Sequence, residues 1–238
     1  MRREYPRVPG PGRAIAVTLV VLVALAVGAD FGVRLYTEAR LASSAQASLG
    51  LPQRPDLDLR GFPFLLQFAR GRFDRIGVQA DDVQVEGLVI DRIDLTFEDV
   101  VFDRRALIGG GGTITSGEGT GEAELGEDAV SRYLQDHDVP VRVRFIGPGI
   151  RVSTKISFDG ATTTASSEGP LRLEGGALVF EPDDVSVEGS VGVPAAALSF
   201  ELPLPEVVAG IAYEAVSVEE GIAVVQASLA GAQIEIID

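Results

Sequence analysis

Residue types able to do acid–base, nucleophilic or metal chemistry are sparse in this chain of 238 residues. His137 is the only histidine, flanked by Asp136 and Asp138, and there is no cysteine. One imidazole serves neither a His-rich metal site nor a two-histidine phosphatase, and thiolate metal sites and a Cys nucleophile are excluded. His137 reads as an exposed loop residue. No G-x-S-x-G nucleophile elbow is present. Gly109 to Gly112 is a tetraglycine with no G-K-S/T after it, so it reads as a loop, not a phosphate cradle. Asp81-Asp82 and Asp183-Asp184 lack the ligand spacing of a calcium loop. The pattern predicts a protein that is not an enzyme and takes no metal or cofactor.

Binding chemistry is better represented. Arg142, Arg144, Arg151 and Lys155 form a basic cluster, with no acidic residue between Asp138 and Asp159. Arg142 and Arg144 share a strand face, and Arg151 and Lys155 fall on the next strand. Paired arginines hold a phosphate through bidentate hydrogen bonds, which suits a phospholipid headgroup. Alternating charge is also what a solvated sheet face looks like, and both readings stand. The surroundings are acidic. Four of the 20 basic and one of the 35 acidic residues fall in the first 29, leaving 16 against 34 and a net charge of −18. Such a body repels nucleic acid, and repels an anionic bilayer at long range.

The other candidate is Gly61 to Ile76, GFPFLLQFARGRFDRI. Four of the 11 Phe fall here: Phe62, Phe64, Phe68 and Phe73. Pro63 fits the first helical position, Phe64 and Phe68 share a helix face, and Gly71 suits the stop. A strand, Arg72 to Ala80, follows. So greasy an element is either ordinary core or the wall or gate of an apolar pocket.

These residues need elements to hold them. Ala14 to Ala29 is apolar except for Thr18 and follows four arginines, as in an export signal. As a helix it reaches roughly 24 Å, short of the ~30 Å hydrocarbon core. Val27-Gly28-Ala29 offers a small-residue cleavage site. Alternatively Phe31, Val33 and Leu35 extend the span, with Asp30 and Arg34 at the interface. Residues 1–29 are therefore an export signal or a membrane anchor, with the remainder outside the cytoplasm. Asp30 to Gly50 reads as a helix with one narrow stripe: Phe31, Leu35, Ala39, Ala42, Ala45 and Leu49.

From Asp56 onward apolar and polar residues alternate, as in Ile93/Leu95/Phe97, Val141/Val143/Phe145 and Ile150/Val152 with Ile156/Phe158. Gly-containing turns separate the runs. This is the mark of antiparallel sheet with one buried face. One further helix is predicted over Gly126 to Asp136. The expected fold class is α+β: a strongly twisted, mostly antiparallel sheet wrapped around a helix, a half-barrel preceded by the N-terminal apolar helix. Its natural partners are the Ala-rich helix and the Phe-rich plug. Residues 30–238 are expected to form one domain.

The order of an exported N-terminal segment, a small-residue helix, L-P-x-R-P-D (Leu51 to Asp56), G-F-P-F-L (Gly61 to Leu65) and G-R-F-D-R-I (Gly71 to Ile76) resembles the actinobacterial LmeA-like phospholipid-binding family of the cell envelope. The later L-S-F-E-L-P-L-P (Leu198 to Pro205) and G-I-A-V (Gly221 to Val224) are similar to that family's C-terminal end. The resemblance implies a fold like that of the bactericidal/permeability-increasing proteins, and a role in envelope glycolipid (lipomannan-type) assembly. The partner would be a phospholipid or a lipid-linked glycan, with the membrane reached through the N-terminal segment. The candidate lipid-binding residues are then Phe62, Phe64, Leu65, Phe68, Phe97, Phe145 and Phe158; the candidate headgroup-binding residues are Arg142, Arg144, Arg151 and Lys155. The protein is expected to be a monomer. The alternative is a ligand-free structural or scaffold protein of the envelope.

Overall fold

The computed structural model describes residues 11–49, 51–102, 112–158, 161–182, 184–187, 194–206, 210–231 and 233–236. The elements in chain order are α1 (Pro11–Leu49), β1 (Asp56–Arg60), α2 (Phe64–Arg70), β2 (Arg72–Val85), β3 (Leu88–Phe102), β4 (Gly112–Thr115), β5 (Glu118–Gly126) and α3 (Glu127–Asp136). There follow β6 (Arg142–Phe145), β7 (Ile150–Phe158), β8 (Ala161–Gly169), β9 (Arg172–Glu174), β10 (Ala177–Phe180) and β11 (Ser186–Val187). A 3₁₀ turn (Ala195–Ala197), β12 (Phe200–Pro203), β13 (Ile211–Glu219), β14 (Ile222–Ala230) and β15 (Gln233–Ile236) complete the described chain.

The strands form three sheets, with antiparallel pairing throughout. The largest has the order β1-β2-β3-β5-β14-β13, with β4 bridging β3 and β15; the others are β11-β8-β7-β6 and β12-β10-β9. The class is α+β, and the sheets are open, not closed into a barrel. The enclosed helix is α3. Its Val130, Tyr133 and Leu134 join a core that takes Leu88 and Ile90 from β3, Val143 and Phe145 from β6, Phe180 from β10 and Leu202 from β12. Spacing of three and four puts those α3 residues on one face, while Glu127 and Asp128 favour the positive end of its dipole.

The Ala-rich segment behaves differently from expectation. It continues α1 without a break and meets the edge strand β1. Within the expected stripe Ala42 is buried, whereas Phe31, Leu35 and Ala39 are exposed. Polar groups decide the inward face: Arg34 pairs with Glu38 (2.8 Å) and Asp58 (2.5 Å), and Glu38 accepts the amide of Leu59 at 2.8 Å.

The hairpin β2–β3 is the backbone of the large sheet. Its two-residue turn, Glu86-Gly87, has φ of 50° and 88°, the mirror-image turn that suits strand twist. At about 3.3 Å per residue, 15-residue β3 spans on the order of 50 Å. Its inward side changes phase twice. Leu88 and Ile90 are buried, then Ile93 and Phe97, then Val100 and Phe102. The ladder skips the opposed positions Asp82/Asp91 and Asp74/Asp99, where Asp82 and Asp99 have positive φ of 54° and 50°. Aspartate tolerates that region better than most side chains. The phase changes divide the interior into a distal core around α3 and a proximal core near α2, with Leu95 packed against both.

Candidate functional site

Between the two cores the inner face of the large sheet is short of side-chain volume. Inward positions along β5 are Gly119, Gly121, Ala123 and Leu125; along β14 they are Ala223, Val225, Ala227 and Leu229. Register mostly matches small with large, Gly119 facing Leu229 and Leu125 facing Ala223, but Gly121 faces Ala227. A Cβ at Gly121 would stand 2.9 Å from Leu95 Cδ2, so Leu95 leans into the missing volume. The result is a narrow apolar recess bounded by Ile93 and Leu95, the Gly121–Ala227 floor, Tyr213 and the Leu204–Pro205 segment. Its walls stand close: a water molecule can be centred in only about 20 Å³ of it. A hydrocarbon chain enters only if side chains or the covering segment move.

That covering segment is held at two points. The Leu204 amide donates to Gly176 O at 3.0 Å, and the Tyr213 hydroxyl donates to Pro205 O. Burial, reinforced by Glu206, pushes the Tyr213 hydroxyl up to about 12, so it remains a neutral donor at ordinary pH.

At the proximal end the Phe-rich segment forms α2 and an aromatic core. Phe64 stacks on Phe73 (5.5 Å between centroids), Phe73 on Phe102 (4.7 Å), and Phe68 lies 6.0 Å from Phe102. Gly71 ends α2 at φ 71°, its amide reaching Phe68 O at 3.1 Å, as expected of a C-terminal glycine. Pro63 is not the first helical residue: it is the extended residue just before it, following a cis peptide bond. Proline has no side-chain oxygen to cap a helix. The acceptor comes instead from α1: Asp30 Oδ2 and Oδ1 take the amides of Phe64 (2.8 Å) and Leu65 (2.7 Å). The buried carboxylate thus ties α1 to α2 at the end of the apolar run.

A model of the LmeA-like phospholipid-binding family matches residues 28–228. The chain belongs to that family. Neither the curated proteins nor the solved structures contain a match. Membership in the LmeA-like family supports lipid binding, and it is a lipid-binding family, not a known enzyme family. The matched region takes in the recess and the α1–α2 junction together.

Against that background the sequence-derived residues fall into separate places. Phe64, Phe68 and Phe97 meet in the proximal core, Phe145 lies in the distal core, and Phe62 and Leu65 are exposed. Phe158 ends β7, but its side chain lies outside the described residues. None of the other six lines the recess. The basic residues do assemble: Arg144 pairs in register with Arg151, Arg142 with Ser153, and all four side chains are exposed on one face of the small sheet. Arg151 is engaged by Glu168 through Nε at 2.7 Å. This face belongs to the sheet over α3, at the opposite end of β3 from α2.

The residues bounding the recess went unread because their signal is an absence. The alternation Gly119, Gly121, Ala123 is legible in E-G-T-G-E-A-E-L, but small inward residues mark a recess only if the facing strand is small too. Other chemistry is thin. His137 is exposed at the end of α3, stacked 4.1 Å from Tyr133 with Nδ1 2.8 Å from its carbonyl. Burial and the nearby Asp82 and Asp128 raise the Asp91 carboxyl above its usual range. No metal-holding cluster occurs among the described residues. Asp183 and Gly109 to Gly111 lie outside the described residues, and Gly112 opens β4.

Proposed function

We propose that this chain is a membrane-anchored, extracytoplasmic protein whose single domain, residues 30–238, holds a phospholipid or lipid-linked glycan by its acyl chain and supports envelope glycolipid assembly of the lipomannan type. The observation that carries the reading is the Gly121–Ala227 pair: two small residues facing each other in the middle of a long sheet, under a covering segment that bonds to Gly176 and Tyr213. A filled core would place large side chains there, since interiors pack to crystal-like density. Phe64, Phe68 and Phe97 continue the apolar path toward the anchored end, and Arg142 and Arg144 offer a phosphate contact at the distal end. The exposed apolar stretch of α1 from Leu19 passes through Val27-Gly28-Ala29 as continuous helix, and Asp30 is bound to α2. Both favour retention of the segment as an anchor, and the arginines before it set the domain outside.

Native mass spectrometry of the full chain, extracted gently from its own membrane, tests the lipid reading. One phospholipid-sized adduct per chain that survives activation is the expected result. A bare chain, which also takes up no phospholipid after delipidation, overturns it. The closeness of the recess walls favours a second reading, a ligand-free scaffold, which that outcome would select. A topology reporter fused after Asp238 tests location: activity in the cytoplasm would end the envelope reading.

A further inference from the structure

The exposed end of α2 is as informative as its buried side. Phe62, Leu65 and Leu66 are 71 %, 42 % and 44 % exposed, while Phe64, between them, is 1 % exposed. Three large apolar residues presented to solvent by one short stretch are costly in water and mark a contact surface. Their position is set by Asp30, which holds the amides of Phe64 and Leu65. Asp30 immediately follows the apolar run Ala14 to Ala29, so the start of α2 lies level with the end of that run. Phe31 and Leu35, just beyond Asp30 on α1, are exposed as well. Charge points the same way. Residues 59–73 contain Arg60, Arg70 and Arg72 and no carboxylate of their own, although Arg60 pairs with Asp58 and Arg72 with Asp99, in a domain with 34 acids against 16 basic residues. A short apolar wedge rimmed by arginine is suited to the boundary of headgroups and acyl chains in an anionic bilayer.

We propose that Phe62 and the outer face of α2 form a second membrane contact, a foot that inserts Phe62, Leu65 and Leu66 into the interfacial layer beside α1. The foot rests on the reading of α1 as a membrane anchor, and it adds an orientation. One helix leaves a domain free to tumble about its exit point, whereas two contacts joined by Asp30 hold the proximal core at the membrane surface. The recess, further along β3, then stands above the bilayer.

The chain has no native cysteine, so single-cysteine variants report single positions. The full chain would be reconstituted into vesicles of phosphatidylglycerol and phosphatidylcholine, with a fluorophore at Leu65→Cys, Leu66→Cys, Leu22→Cys or Ser157→Cys, and quenched by lipid spin-labelled high on the acyl chain. Positions 65 and 66 should be quenched at least twofold more than 157, and both are exposed, so folding is not at stake. Quenching at 65 and 66 equal to that at 157 overturns the foot. Protection of labelled position 65 from lipid quencher, together with disulfide formation between copies of the unlabelled Leu65→Cys chain, also overturns it, placing a second chain there. Position 22 reports the anchor separately, against lipid spin-labelled deep on the acyl chain: quenching at 22 without quenching at 65 overturns the foot and leaves the anchor, whereas quenching at 65 without quenching at 22 overturns the anchor on which the foot rests.

Discussion

The Asp30 carboxylate accepts the Phe64 amide at 2.8 Å from 34 residues earlier in the chain. A helix start normally finds its acceptor in its own first residues. Here Pro63 cannot supply one, and the helix that ends the apolar run does so instead. Asp30→Ala leaves two amides without a partner, one of them on buried Phe64, and should destabilise the domain by about 3 kcal/mol. Asp30→Asn keeps one acceptor oxygen and should lose roughly half as much. Denaturant unfolding of both variants is the check; identical midpoints for wild type and Asp30→Ala would dismiss the tie.

Filling the recess should cost binding before it costs folding. Ala227→Leu adds side-chain volume where Gly121 offers none opposite. Overpacking costs about 1–3 kcal/mol, which a domain of ordinary stability survives. Phospholipid uptake should fall severalfold while the circular dichroism spectrum is unchanged. Undiminished uptake would place the acyl chain elsewhere.

Arg142→Ala with Arg144→Ala should weaken binding of anionic phospholipid more than zwitterionic, with little change in stability, because both side chains are exposed. Exposed charge contacts are worth only ~0–1 kcal/mol each and are screened by salt. The preference should therefore shrink at low salt and vanish at high salt in vesicle-binding titrations. A low-salt preference equal to wild type would return these arginines to a solvated face.

Tyr213 provides a pH signature. Its hydroxyl is raised by burial from the ordinary tyrosine value of 10.0 to about 12 in the folded chain. Its contribution to stability is complete below about pH 10, where both states are protonated. It is lost as pH rises toward 12, because the unfolded chain ionises first. Tyr213→Phe should flatten stability across that alkaline window, and remove one late-titrating tyrosine from the ultraviolet absorbance titration. It should also free Pro205 and speed lipid exchange. A titration curve that keeps its late component in the variant would assign it to another tyrosine.

Much of the architecture was written in local pattern. Alternation from Asp56 onward set the antiparallel sheets, the spacing in Glu127–Asp136 set α3, and Gly71 set the end of α2, because each depends on neighbours within a few residues. The apolar run after four arginines was equally plain. What the sequence alone could not decide were relationships between distant segments. Asp30 capping Phe64, the polar inward face of α1, the phase changes at Asp82 and Asp99, and the division of the phenylalanines between core and surface depend on which segments meet. The recess is the clearest case: Gly121 and Ala227 are 106 positions apart, and their smallness becomes a space only when strand register sets one opposite the other. Local periodicity dictates which face of an element is apolar; only tertiary pairing dictates what stands across from it, and therefore whether the volume between is filled.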